Sequence, residues 1–145
     1  MYPYKATGGL LDDIKDIARF AMAEIAMGVN SEETVLSKQS IQQILAPQIE
    51  TSGIFDLVAD AYGFGNFIER LPDDKMAFWH GGQGHGWMTH FHGVPETGDG
   101  IIILTNSQRS WPLMGHILKD WSSWRGFGPV KFGRITLAVP ILAVI

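Results

Sequence analysis

The chain has 145 residues, 11 lysines and arginines against 15 aspartates and glutamates, and a formal charge of −4. That length fits one ordinary domain with a core, and the mixing of acids and bases along it disfavours nucleic acid or an anionic membrane surface as a partner. The absence of cysteine excludes a disulfide scaffold, a cysteine-ligated zinc site and a thiol nucleophile, while leaving the compartment open.

The first five residues, Met1 to Lys5, contain no apolar stretch, so no signal peptide is read at this end. Leu11, Ile14, Ala18, Ala21 and Ile25 step by three and four and predict a helix, with Asp13 and Asp16 as a capping pair and Gly28 as its stop. Asp12, Asp13, Lys15, Asp16 and Arg19 make its solvated face, with Asp16 and Arg19 spaced to pair. After a polar interval at 30–34, a second short helix is predicted over Lys38 to Leu45, with Ile41, Ile44 and Leu45 inward and Pro47 ending it. Residues 48–60 read as a loop.

From Tyr62 the period becomes alternating, and four strands are predicted: Tyr62 to Glu69, Met76 to His80, Trp87 to Val94 and Ile101 to Thr105. Short turns such as Pro72-Asp73-Asp74 favour an antiparallel meander. Ile101 to Leu104 are apolar on both faces, which places that strand centrally, covered on each side. Ser110 and Pro112 open a last helix whose Leu113, Ile117, Leu118, Trp121 and Trp124 form a stripe that would lie on the sheet. The expected class is α+β, an antiparallel sheet with flanking helices. Beyond residue 128 the chain turns apolar, and residues 135–145 carry no charge. Eleven residues fall short of the ~20 that span a bilayer, so this tail reads either as ordinary buried chain or as the start of a membrane segment. Lys131 and Arg134 would set its cytoplasmic flank.

The chemistry concentrates in W-H-G-G-Q-G-H-G-W at 79–87. Gly81, Gly82, Gly84 and Gly86 let backbone approach a ligand closely and leave peptide N–H groups free, and His80 and His85 are the side chains there that titrate near neutrality. Downstream, Gly84, His90, His92 and Glu96 resemble the opening of a cupin metal motif, with both histidines on one strand face. Against that, Ile103 replaces the expected glycine, Pro95 adjoins the ligand and no second histidine block follows. The ordinary alternative is a solvent-facing or hydrogen-bonded histidine pair. Trp79, Trp87, Trp121 and Trp124 read as core and cleft-wall aromatics, and His116 as a partly exposed helix residue.

Four blocks together resemble the C-terminal part of the serine β-lactamase-related family: A-T-G-G-L-L-D-D-I-K-D-I-A-R-F-A at 6–21, Y-G-F-G at 62–65, H-G-G-Q-G-H-G-W at 80–87 and P-E-T-G-D-G-I-I-I-L-T-N at 95–106. That family includes class C β-lactamases, D-alanyl-D-alanine carboxypeptidases, penicillin-binding proteins and related esterases. The resemblance implies that residues 1–128 form the C-terminal part of a β-lactamase/transpeptidase-like domain, with 129–145 as a separate tail. It implies that His80-Gly81-Gly82 lies on the cleft strand and binds substrate, and that the Gln83 backbone N–H supplies half of an oxyanion hole; His85 reads either as a substrate-binding residue lining the cleft or as a residue of a turn. No cofactor and no metal are implied.

The family's nucleophile, Ser-x-x-Lys, is missing: no serine here is followed three residues later by lysine, and no Tyr-x-Asn occurs. The resemblance therefore describes a C-terminal fragment, inactive alone, that needs an N-terminal portion carrying the nucleophile. Its substrate would be a small molecule or peptidoglycan-like, and its location extracytoplasmic or membrane-associated, with membrane contact through 135–145. An exposed sheet edge would invite homo-oligomers.

Overall fold

The computed structural model describes residues 8–10, 12–26 and 36–134. Leu11, the Gly28 stop and the apolar tail at 135–145 lie outside them.

Helix α1 runs Ile14–Ile25 and starts where predicted: the Asp13 carboxylate accepts the N–H groups of Lys15 and Asp16, satisfying donors that a first turn leaves open. Helix α2, Lys38–Leu45, is capped by the Ser37 hydroxyl, which accepts from the Ser40 N–H. A six-stranded antiparallel meander follows, in the order β1 Ile49–Glu50, β2 Ala61–Tyr62, β3 Phe67–Arg70, β4 Met76–Gly84, β5 Trp87–Val94 and β6 Asp99–Thr105. Helix α3, Trp111–Arg125, has Pro112 in its first turn and ends at Gly126, whose φ of 76° suits a residue without a Cβ.

Four expectations are corrected. The loop at 48–60 contains β1 and a 3₁₀ turn at Gly53–Leu57. The predicted strand from Tyr62 is two strands, because Gly63 to Asn66 form a turn closed by a Gly63 N–H to Asn66 carbonyl bond of 2.8 Å. Strand β4 continues through the glycines to Gly84, since glycine accepts extended geometry and β5 supplies partners along its length. Ile101 to Leu104 lie on β6, the last strand in the order and not a central one.

The sheet separates two cores. On one face, α3 places Met114, Leu118 and Trp121 over Trp79, Val94 and Ile103, joined by Phe127, Val130 and Phe132. Burying each such side chain stabilises by about 1.5–3 kcal/mol, so this core extends past residue 128 to Phe132. Trp124 and Leu113 of the predicted stripe point outward, 79% and 53% exposed, whereas Leu118 and Trp121 are buried. On the opposite face, Ile25, Ile41 and Leu45 of α1 and α2 meet Ile68 and Phe78. Gly93 and Gly100 admit Ile25 there: a Cβ on Gly93 would stand 2.6 Å from the Phe78 ring, and one on Gly100 2.5 Å from Ile25. Among the described residues no helix is long and apolar enough to cross a membrane.

Candidate active-site strand and groove

Strand β3 pairs with β4 only from Met76 to Trp79, whereas β5 pairs with β4 from Phe78 to Gly84. His80 to Gly84 therefore have no ladder partner on the β3 side among the described residues. The direction of their peptide groups follows from β5. The Met88 carbonyl accepts the Thr105 hydroxyl at 3.1 Å and the His92 carbonyl lies beside Gly100, so the even-numbered residues of β5 face β6. The Thr89 carbonyl lies beside Gly81, so odd-numbered ones face β4. In an antiparallel ladder a residue's N–H and C=O point the same way, and opposed residues share that choice. Gly81, opposite His90, and Gln83, opposite Met88, thus turn their N–H and C=O away from β5 and out over the open edge.

His80 leads this edge. Its half-buried ring packs near Tyr62 and Phe67, with ring centroids 6.5 and 6.0 Å away. Burial lowers its pKa below the ordinary 6.5, offset in part by a hydrogen bond to the Gly81 backbone, which favours the neutral imidazole at neutral pH. Gly82 lies so close to Thr89 that a Cβ would stand 2.7 Å from its hydroxyl oxygen. His85 is exposed and occupies the two-residue turn between β4 and β5 with Gly86, whose φ is 88°. The turn closes the hairpin at the Gly84–Trp87 pair and holds His85 past the end of the strand that carries His80.

A groove of ≈ 1170 Å³ adjoins the strand, lined by Gly82, Gln83 and Gly84 together with Phe20 of α1, Trp87 of β5 and Leu104 of β6. Several of its walls are apolar and open to solvent: Phe20 is 53% and Trp87 49% exposed. Ser107 and Ser110 also line it, but no lysine among the described residues does, and the Ser110 hydroxyl donates to the Ser107 carbonyl at 3.0 Å. No base-activated nucleophile is assembled from the described residues.

The cupin-like set does not come together. His90 and His92 share a face, as alternation requires, but both are buried beneath α3, away from solvent and without a hydrogen-bond partner among the described residues. Glu96 lies in the exposed turn after β5, where its Oε1 accepts the Met76 N–H at 3.0 Å. The carboxylate that meets His92 is Glu69 of β3, with Oε1 3.2 Å from Nε2. The sequence contained a signal for it, an acid on the same parity as inward Phe67, but the pairing crosses β4 and no local spacing reveals it.

No protein-family model matches the chain, and no curated protein does. A solved structure does: the octameric penicillin-binding protein homologue from Pyrococcus abyssi superposes with a TM-score of 0.71 at 23% identity, over 88% of this chain and 27% of that one. The chain thus spans about a quarter of that protein's length. At this identity the likeness establishes the fold: the six-stranded antiparallel sheet with its flanking helices is the α+β architecture of a segment of a penicillin-binding protein homologue.

Proposed function

We propose that the chain forms one wall of a serine acyl-transfer site of the β-lactamase-related kind, acting on a β-lactam, a D-amino-acid peptide or a carboxylic ester. The observation that carries this reading is the open edge of β4, where Gly81 and Gln83 direct peptide groups outward from an H-G-G-Q strand in a penicillin-binding-protein-like fold. An extended substrate adds to such an edge as a further strand, with small residues admitting its backbone. When a nucleophile attacks the substrate carbonyl, the oxygen gains negative charge, and a fixed N–H from Gln83 stabilises it without reorganising. The His80 ring, bonded on one side to the Gly81 backbone, leaves its other nitrogen to meet a polar group of the substrate and orient it.

The nucleophile comes from a separate portion bearing Ser-x-x-Lys, on this polypeptide or another, and the apolar groove beside Gln83 supports a seat for it. On this reading the assembled protein works outside the cytoplasm or at a membrane. The test is reconstitution: the chain joined to a Ser-x-x-Lys portion of the same fold, assayed with a chromogenic cephalosporin and a chromogenic ester. Turnover that requires both parts and falls on His80→Ala supports the proposal. Equal turnover by the added portion alone contradicts it.

A second reading is favoured by β6. By the same parity argument its Gly100, Ile102 and Leu104 direct peptide groups outward from an edge without proline or lysine. Such an edge supports strand pairing with a second copy.

A further inference from the structure

Five polar atoms are buried together between the sheet and α3 without a hydrogen-bond partner among the described residues: Glu69 Oε1 and both ring nitrogens of His90 and of His92. Buried polar atoms are nearly always paired, and clustering of exceptions marks a place where the fold carries a cost. Here the cost is specific. Glu69, His90 and His92 are each 1% exposed. The other Glu69 oxygen accepts the Lys131 N–H at 2.9 Å, which ties the row to the chain after α3. His92 Nε2 approaches Glu69 Oε1 to 3.2 Å but lies outside hydrogen-bond geometry. The His90 ring sits between Trp79 and Phe132, at centroid distances of 5.3 and 4.6 Å, and 5.7 Å from His92, which in turn faces Trp121 at 5.5 Å.

We propose that Glu69, His92 and His90 form a proton-operated latch, which holds α3 and residues 127–132 on the sheet at neutral pH and releases that layer on acidification. One carboxylate can balance one imidazolium. A second proton, on His90, adds a like charge 5.7 Å from His92 in a layer of aromatic rings.

The neighbours offer no relief. From α3 the row meets Met114, Leu118 and Trp121, and from β6 Ile101 and Ile103, none of which titrates. Residues 127–134 contribute Lys131, whose ammonium is committed to Asp60. His80, on the other face of β4, adds only repulsion. Burial first, then the charges of His92 and His80, hold the His90 pKa well below 6.5. The sign follows: a depressed histidine contributes stability that is present above pH 6.5 and lost as pH falls through the folded value. Release of the layer exposes the His90 imidazole, which then takes up its proton.

The experiment is a pH titration of the chain from about 8 to 5, followed by near-UV and far-UV circular dichroism and by NMR of the histidine rings. The latch predicts a cooperative loss of near-UV signal from Trp79 and Trp121 at a midpoint below 6.5, with helix and strand signals retained. His90 changes protonation in that same step. His90→Leu removes one of the protons and moves the midpoint to lower pH. If that variant does not fold, the wild-type ring signals decide. His90 titrating with the tertiary signal intact overturns the proposal, as does an unchanged midpoint in a folded His90→Leu.

Discussion

Gln83 stands opposite Met88, and the Met88 carbonyl accepts the Thr105 hydroxyl at 3.1 Å on its far side, so the Gln83 peptide has no claim on it from β5. That contact on β6 shows which way the peptide groups of β4 point, two strands away, because the antiparallel ladder passes its alternation from strand to strand. The open edge of the candidate site is a property of the whole ladder and not of the glycine run alone.

The packing of α1 depends on two glycines in that ladder. Gly93→Ala would put a Cβ 2.6 Å from the Phe78 ring and 2.9 Å from Ile25, and neither neighbour can retreat within a filled core. Overpacking of this kind costs about 1–3 kcal/mol. Thermal denaturation should show Gly93→Ala clearly less stable than wild type. Gly98→Ala is a different case, because there the strain comes from a φ of 72° in a turn with open space around it.

Glu24 is a second buried acid, 4% exposed, with one oxygen accepting from Asn66 at 3.1 Å and the other without a partner among the described residues. Burial raises its pKa above 4.5, and the Asn66 bond offsets only part of the rise. A raised folded pKa means that its contribution is fully present below pH 4.5 and is lost as pH climbs through the folded value. Glu24→Gln keeps an oxygen for Asn66 and removes the charge. Urea denaturation should find the variant more stable than wild type at pH 7, with the difference shrinking towards pH 4.

On β6, Ile102 turns its N–H outward, so Ile102→Pro removes an edge donor while sparing the bonds to β5. The isolated chain should self-associate with rising concentration in size-exclusion chromatography, and the proline variant should do so less. A wild-type chain that elutes as a monomer at all concentrations would remove the edge-pairing reading.

Much of the scaffold is legible in the sequence because its signals are local. Asp13 announces one helix start through a side chain that reaches only two or three residues, and Pro112 marks the first turn of another. The four-residue extension of β4 is not legible, since glycines give no alternation of polar and apolar faces. Ile101 to Leu104 misled because residues apolar on both faces fit an edge strand beside an apolar groove as well as a central strand. Within the site, H-G-G-Q marks the strand, but the outward direction of Gln83 depends on the register of β4 with β5 and of β5 with β6. The burial of His90 and His92 depends on Glu69 and Phe132, which only the tertiary arrangement brings to them.

The central claim is that a backbone N–H at position 83 serves the reaction, and a proline tests it. Proline deletes that donor at a position where β5 does not need it, whereas alanine alters only the side chain. In the reconstituted protein, Gln83→Pro should lower kcat by about 10²–10³-fold, the usual effect of removing one oxyanion donor, while Gln83→Ala retains most of the rate. A folded Gln83→Pro variant that turns over as fast as Gln83→Ala would contradict the account.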